Sequence, residues 1–149
     1  MDIVRELVAP TAPEVLFAHV GDLDAYPVWM PLIHTVQELP TDGAPLWSVE
    51  LRATVGPFAR SKRLRMRRTA HVIDRLAVFE REEDDGRQHS PWILRAELTP
   101  DLAAATTRPS TRLTMTMTYG GSLWAGPVLE RVLDEQVRRG SEALLRLVS

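Results

Sequence analysis

The stretch PVLERVLDEQVRRGSEALLRLV, residues 127–148, decides the architecture, because it can only be a long amphipathic helix. Leu129, Val132, Leu133, Gln136, Val137, Gly140, Leu144 and Leu147 recur at steps of three and four and share one face. Glu130, Arg131, Glu135, Arg138, Arg139 and Glu142 fall largely on the other, and Gly126-Pro127 opens the helix. At 1.5 Å per residue it runs for roughly 33 Å. A helix of that length with one apolar stripe needs an apolar surface to lie on.

The segments before it supply that surface. From Leu32 onward the apolar period is two, and strands are expected at Ile33–Leu39, Leu46–Val55, Arg60–Ile73, Leu76–Glu83, Trp92–Thr99 and Arg112–Tyr119. Turn residues separate them at Pro40-Thr41-Asp42-Gly43, Gly56-Pro57, Asp84-Asp85-Gly86 and from Pro100 to Pro109. Connections this short join antiparallel neighbours, not parallel strands with helical crossovers. Upstream, the first eight residues alternate as a strand until Ala9-Pro10-Thr11 breaks it. Pro13 then starts a short helix over Glu14–Val20, and a second helical piece spans Leu23–Trp29, interrupted by Pro27 and stopped by Pro31.

On one parity the strands offer Trp47, Val49, Leu51, Ala53 and Val55, then Leu64, Met66, Ala70 and Val72. Later strands add Trp92, Leu94, Ala96 and Leu98, then Leu113, Met115, Met117 and Tyr119. The other parity is mostly Arg, Glu, Ser and Thr, so one sheet face is dry and the other wet. The expected fold is α+β: an antiparallel sheet of about seven strands, two short helices after the first strand, and the long helix at the end. No repeat or linker divides residues 1–149, which read as a single domain.

Composition narrows the function. With no cysteine, thiolate catalysis, thiolate-held metal and disulfides are excluded. A net charge of -2 gives no global attraction to nucleic acid or anionic membranes. The N-terminal MDIVRE is charged where a signal peptide needs an apolar run, and no stretch approaches the length of a membrane span. A cytoplasmic protein is expected, without integral membrane segments.

Three segments carry a family resemblance: Ala9-Pro10-Thr11-Ala12-Pro13-Glu14-Val15-Leu16-Phe17, Asp22-Leu23-Asp24-Ala25-Tyr26-Pro27-Val28-Trp29-Met30-Pro31, and the junction from Tyr119 to Leu129 that runs into the last helix. Together with the order of elements they resemble the START-like (SRPBCC) superfamily, the polyketide cyclase/dehydrase and lipid-transport group. The resemblance covers nearly the whole chain. It implies the helix-grip fold, in which a curved antiparallel sheet wraps the long C-terminal helix around a hydrophobic cavity. The group includes lipid carriers, hormone receptors, quinone-binding proteins and aromatase/cyclases, so the activity is left open.

The candidate ligand-binding residues follow from shared inward parity. Trp47, Met66, Trp92, Met115, Met117 and Tyr119 would line the cavity, with Trp29 as its cap and Trp124 at its mouth. Leu133, Val137 and Gly140 would form its floor on the helix. Gly140 on a buried helix face either leaves room for a ligand or permits close helix contact. The same tryptophans and methionines would also serve as plain core.

Arg68 shares the inward parity and needs a partner if buried. With a three-residue loop at 73–75, Arg68 faces Glu80, Arg65 faces Glu83 and Arg63 faces Asp85. Arg68 would then anchor a ligand carbonyl or carboxylate, or simply end in water. In that register the run Arg60, Lys62, Arg63, Arg65, Arg67, Arg68 is largely self-neutralised, so no nucleic-acid partner is expected. His19, His34, His71 and His89 show no metal-ligand spacing, so neither a metal nor another cofactor is expected.

Two functional readings lead, and a purely structural or partner-regulating domain stays open beside them. One is a binder or carrier of a hydrophobic small molecule such as a lipid, polyketide or quinone. The other is an aromatase/cyclase-type enzyme acting on a polyketide intermediate, for which Arg68, Tyr119 and His71 are the available polar groups. The oligomeric state is not readable.

Overall fold

The computed structural model describes residues 2–55, 57–101, 108–120 and 127–149, without the side chains at positions 55, 58 and 129. In chain order the elements are β1 (Asp2–Ala9), α1 (Pro13–Val20), a 3-10 helix (Leu23–Val28), β2 (Ile33–Leu39), β3 (Leu46–Val55), β4 (Phe58–Val72), β5 (Leu76–Arg81), β6 (Trp92–Pro100), β7 (Thr111–Tyr119) and α2 (Pro127–Val148). Pro13 opens α1, where its missing N–H breaks no helical hydrogen bond. The residues expected to open α2 and form its junction with β7, Trp124 and Gly126 among them, lie outside the described residues, as does Gly56 of the expected turn after β3.

The strands form one sheet in the order β1-β7-β6-β5-β4-β3-β2, every pair antiparallel. Strands β2 to β7 meander, and β1 returns beside β7. This is the helix-grip layout. One sheet face is buried beneath α1, the 3-10 helix and α2, through Leu16, Phe17, Tyr26 and Trp29 from the short helices and Leu133, Val137 and Leu144 from α2. Phe79 is fully buried at the middle, its ring edge-on to Tyr26 at 5.8 Å and to Trp47 at 5.6 Å.

The β4–β5 hairpin corrects the expected register. Its loop is the expected one: Val72 pairs with Leu76, and Asp74 takes the left-handed backbone the tight turn needs, at φ 62°. A β-bulge then falls between Arg68 and Ala70, placing an extra residue of β4 against β5. Beyond it the register has moved by one, so Arg68 lies opposite Phe79, and Glu80 lies opposite Arg67.

The bulge also changes which face later residues occupy. Ala70 pairs with the outward Val78, and Val72 is half exposed, so neither joins the dry face as their parity with Met66 implied. His71 instead lies on the side of α1, its ring 5.4 Å from that of Phe17.

The basic strand is paired, though not as expected. Arg63 reaches Glu50 at 3.6 Å and Ser48 at 3.2 Å, both on β3, rather than Asp85. Arg65 places its guanidinium 3.1 Å from Asp84, while its backbone N–H donates to Glu83. Arg67 pairs with Glu82 and donates to the Ala44 carbonyl at 2.8 Å. The acidic loop and β3 thus neutralise much of this surface.

Candidate functional site

The inward rows of β3, β4, β6 and β7 meet the chain leaving the 3-10 helix around a small void of about 30 Å³, room for a water or two. Its wall is apolar: Met66 of β4, Trp92 of β6 and Met117 of β7 face Leu23, Met30 and Leu32. Two features of the sequence set this wall. Alternation along the strands turns every second apolar side chain inward. Pro27 and Pro31 keep the chain after α1 from continuing as a regular helix, so residues 29–32 lie over the sheet as an irregular lid.

That lid is held by polar contacts at its edges. The Trp29 indole N–H donates to the His19 carbonyl at 3.0 Å, and the buried Tyr26 hydroxyl donates to the Val20 carbonyl at 3.0 Å. Burial and the nearby negative charge of Asp22 push the Tyr26 phenol far above its ordinary range, so it remains a donor. Arg68 joins the same support. Its guanidinium contacts Asp22 at 2.6 Å and the Gly21 carbonyl at 3.4 Å, with 17% of the side chain exposed.

Of the residues expected to form the site, Met66, Trp92 and Met117 meet at the void. Trp29, Trp47, Met115, Tyr119, Leu133 and Val137 are buried in the surrounding core without lining it. Arg68 points inward as expected, but its partner is Asp22 rather than Glu80, because the bulge sets it opposite Phe79.

Gly140 does not border the void. A Cβ at this position would meet Met30 and the Trp29 carbonyl, so the glycine serves a close approach of α2 to the lid. The indole N–H of Trp47 is buried with no acceptor among the described residues.

The structure adds polar residues that sequence parity did not single out. Arg81 and Glu83 pair at 3.0 Å with only 10% and 16% of their side chains exposed. Beside them Lys62 holds its ammonium 5.9 Å from the centre of the Trp92 ring. Burial, helped by the Arg81 charge and opposed by Glu83, lowers the Lys62 pKa. Lys62 was legible only as a member of the basic run and Glu83 only as a partner of that run, while Arg81 was not singled out; that they meet at the end of β5 depends on where that strand stops. Tyr119 also packs on Trp92, ring centres 5.4 Å apart, its phenol pKa raised by burial and by Glu130.

Among the described residues no three His, Asp or Glu side chains cluster as a metal site, and no helix is long and apolar enough to cross a membrane.

Solved structures share this arrangement. A START superfamily protein from Mycobacterium smegmatis superposes with a TM-score of 0.72 at 18% identity, over 99% of this chain and 96% of its own. A protein from Deinococcus radiodurans gives 0.66 at 19% identity, over 99% and 95%. The Zhui aromatase/cyclase from a Streptomyces species gives 0.60 at 14% identity, over 99% and 93%. At these identities the likeness is one of fold. No curated protein matches the chain in sequence. The sequence profile described as "Polyketide cyclase / dehydrase and lipid transport" matches residues 10–145. With that match spanning nearly the whole of a helix-grip fold shared with a START superfamily structure, the chain belongs to the polyketide cyclase/dehydrase and lipid transport family.

Proposed function

We propose that this protein binds or carries a hydrophobic small molecule, a lipid, polyketide or quinone-like compound, between the sheet and the lid of residues 29–32. The observation that carries the reading is the wholly apolar wall around the void, with Met30, Met66 and Met117 converging on it. A void of about 30 Å³ holds no such ligand as it stands, so a guest enters by displacing side chains. Methionine suits that task, since its unbranched thioether changes rotamer at little cost. Of the polar groups considered for catalysis, Arg68 is engaged with Asp22, His71 lies against Phe17, and Tyr119 packs on Trp92 with its phenol pKa raised, without lining the void. Binding is therefore better supported than acid–base chemistry.

The test is titration of the protein with a neutral apolar fluorophore such as N-phenylnaphthylamine, with Met117→Trp as the filled variant. Saturable uptake by the wild type, weakened in a variant of unchanged fold, is the expected result. Absence of saturable uptake by the wild type would overturn the reading.

A further inference from the structure

We propose that Lys62 forms an anion-recognition site at the rim of the apolar void, taking the carboxylate head of an amphipathic ligand whose hydrocarbon body enters beside Met66 and Trp92. This rests on the binding function above and specifies the ligand class.

The geometry begins with unequal strand lengths. β4 runs from Phe58 to Val72, whereas β5 ends at Arg81, opposite Met66. The first part of β4 therefore extends beyond the end of β5, paired with β3 on its other side. Lys62 projects from this overhang on the same parity as Leu64 and Met66, two residues of the void's wall. Its ammonium reaches past the end of β5 to Trp92, the first residue of β6 and also part of the wall. The cation thus stands where the apolar surface meets solvent.

Its electrostatic surroundings favour an incoming anion. The carboxylate of Glu83 accepts from the Arg81 guanidinium at 3.0 Å and from the Arg65 backbone N–H at 3.1 Å. Arg81 also donates to the Ser90 carbonyl at 3.2 Å. Among the described residues Lys62 has no carboxylate within ion-pair distance and no hydrogen-bond acceptor, and its ammonium lies against the Trp92 ring. Lys62 and Arg81 against Glu83 leave one positive charge, which matches a monoanion. A doubly charged phosphate would leave an excess of negative charge beside Glu83. The rival account is a lysine that lays its stem on Trp92 and keeps its head in water.

The experiment displaces the neutral fluorophore with dodecanoate and with dodecanol, below their aggregation limits, from the wild type, Lys62→Gln and Lys62→Arg. The wild type is expected to prefer dodecanoate by about tenfold, the size of one charge-assisted hydrogen bond. Lys62→Gln should erase that preference while leaving dodecanol affinity unchanged, and Lys62→Arg should keep it. Added salt should weaken dodecanoate alone, a readout that needs no variant to fold. If the two ligands bind the wild type equally, the anchor is refuted and the apolar site stands. If neither ligand nor fluorophore binds, the binding function itself fails and the anchor falls with it.

Discussion

A Cβ built on Gly140 would stand 3.0 Å from the sulfur of Met30 and 3.3 Å from the carbonyl oxygen of Trp29. α2 therefore rests on the lid segment at a separation set by the absence of a side chain. The lid cannot simply retreat, because Trp29 is pinned through its indole N–H to the His19 carbonyl.

Gly140→Leu is expected to destabilise the protein by about 1–3 kcal/mol, the usual cost of forcing atoms into a filled core. Gly140→Ala should cost less, since its gain of about 1 kcal/mol in helix propensity offsets part of the close contacts with Met30 and the Trp29 carbonyl. Denaturant titration of both variants measures this. A leucine variant as stable as the wild type would show open space where close packing is described.

Arg68→Ala should lower stability without changing affinity for a neutral apolar ligand. Asp22 is about half exposed, so the ion pair is screened and its loss should cost about 1 kcal/mol. Asp22→Asn should act in the same direction. A large loss of probe affinity at unchanged stability would instead return Arg68 to the binding site.

Tyr26 predicts a specific alkaline limit. A phenol whose folded pKa is raised holds its proton more tightly folded than unfolded, so its contribution is complete below its ordinary value of 10.0 and is lost as pH rises above it. Tyr26→Phe should cost about 1 kcal/mol near neutrality through the lost hydrogen bond to Val20. It should also make stability fall less steeply above pH 10. The chain has two tyrosines, and the Tyr119 pKa is raised as well. Tyrosinate absorbance in the wild type should therefore appear late, with the Tyr26 part coinciding with unfolding. Early reversible ionisation of both tyrosines in the folded protein would contradict the burial of Tyr26.

Removal of residues 127–149 should abolish cooperative folding. Leu133, Val137 and Leu144 are buried, and at about 1.5–3 kcal/mol each their burial rivals the whole stability of a typical domain. Circular dichroism and size-exclusion chromatography of the truncated chain check this; a monomer with a sharp thermal transition would refute the role given to α2.

The residues by themselves determined the order of elements and the choice of dry face. Period-two alternation placed β2 and β3 at their observed bounds, and the stripe from Leu133 to Leu144 marked α2 as the cover, because backbone geometry sets both periods locally. The three segments resembling the START-like superfamily likewise pointed to a fold that the profile match and the solved structures share. Tertiary structure decided what depends on register and distance. The bulge between Arg68 and Ala70 has no marker in the sequence, yet it moved Arg68 from Glu80 to a position opposite Phe79 and left it to pair with Asp22. Only the packed molecule shows that Gly140 accommodates the lid, or that Lys62 reaches Trp92 past the end of β5. Periodicity reports which side of an element a residue occupies. What it meets there is set by contacts between segments far apart in the chain, and those exist only once the sheet has closed on its helices.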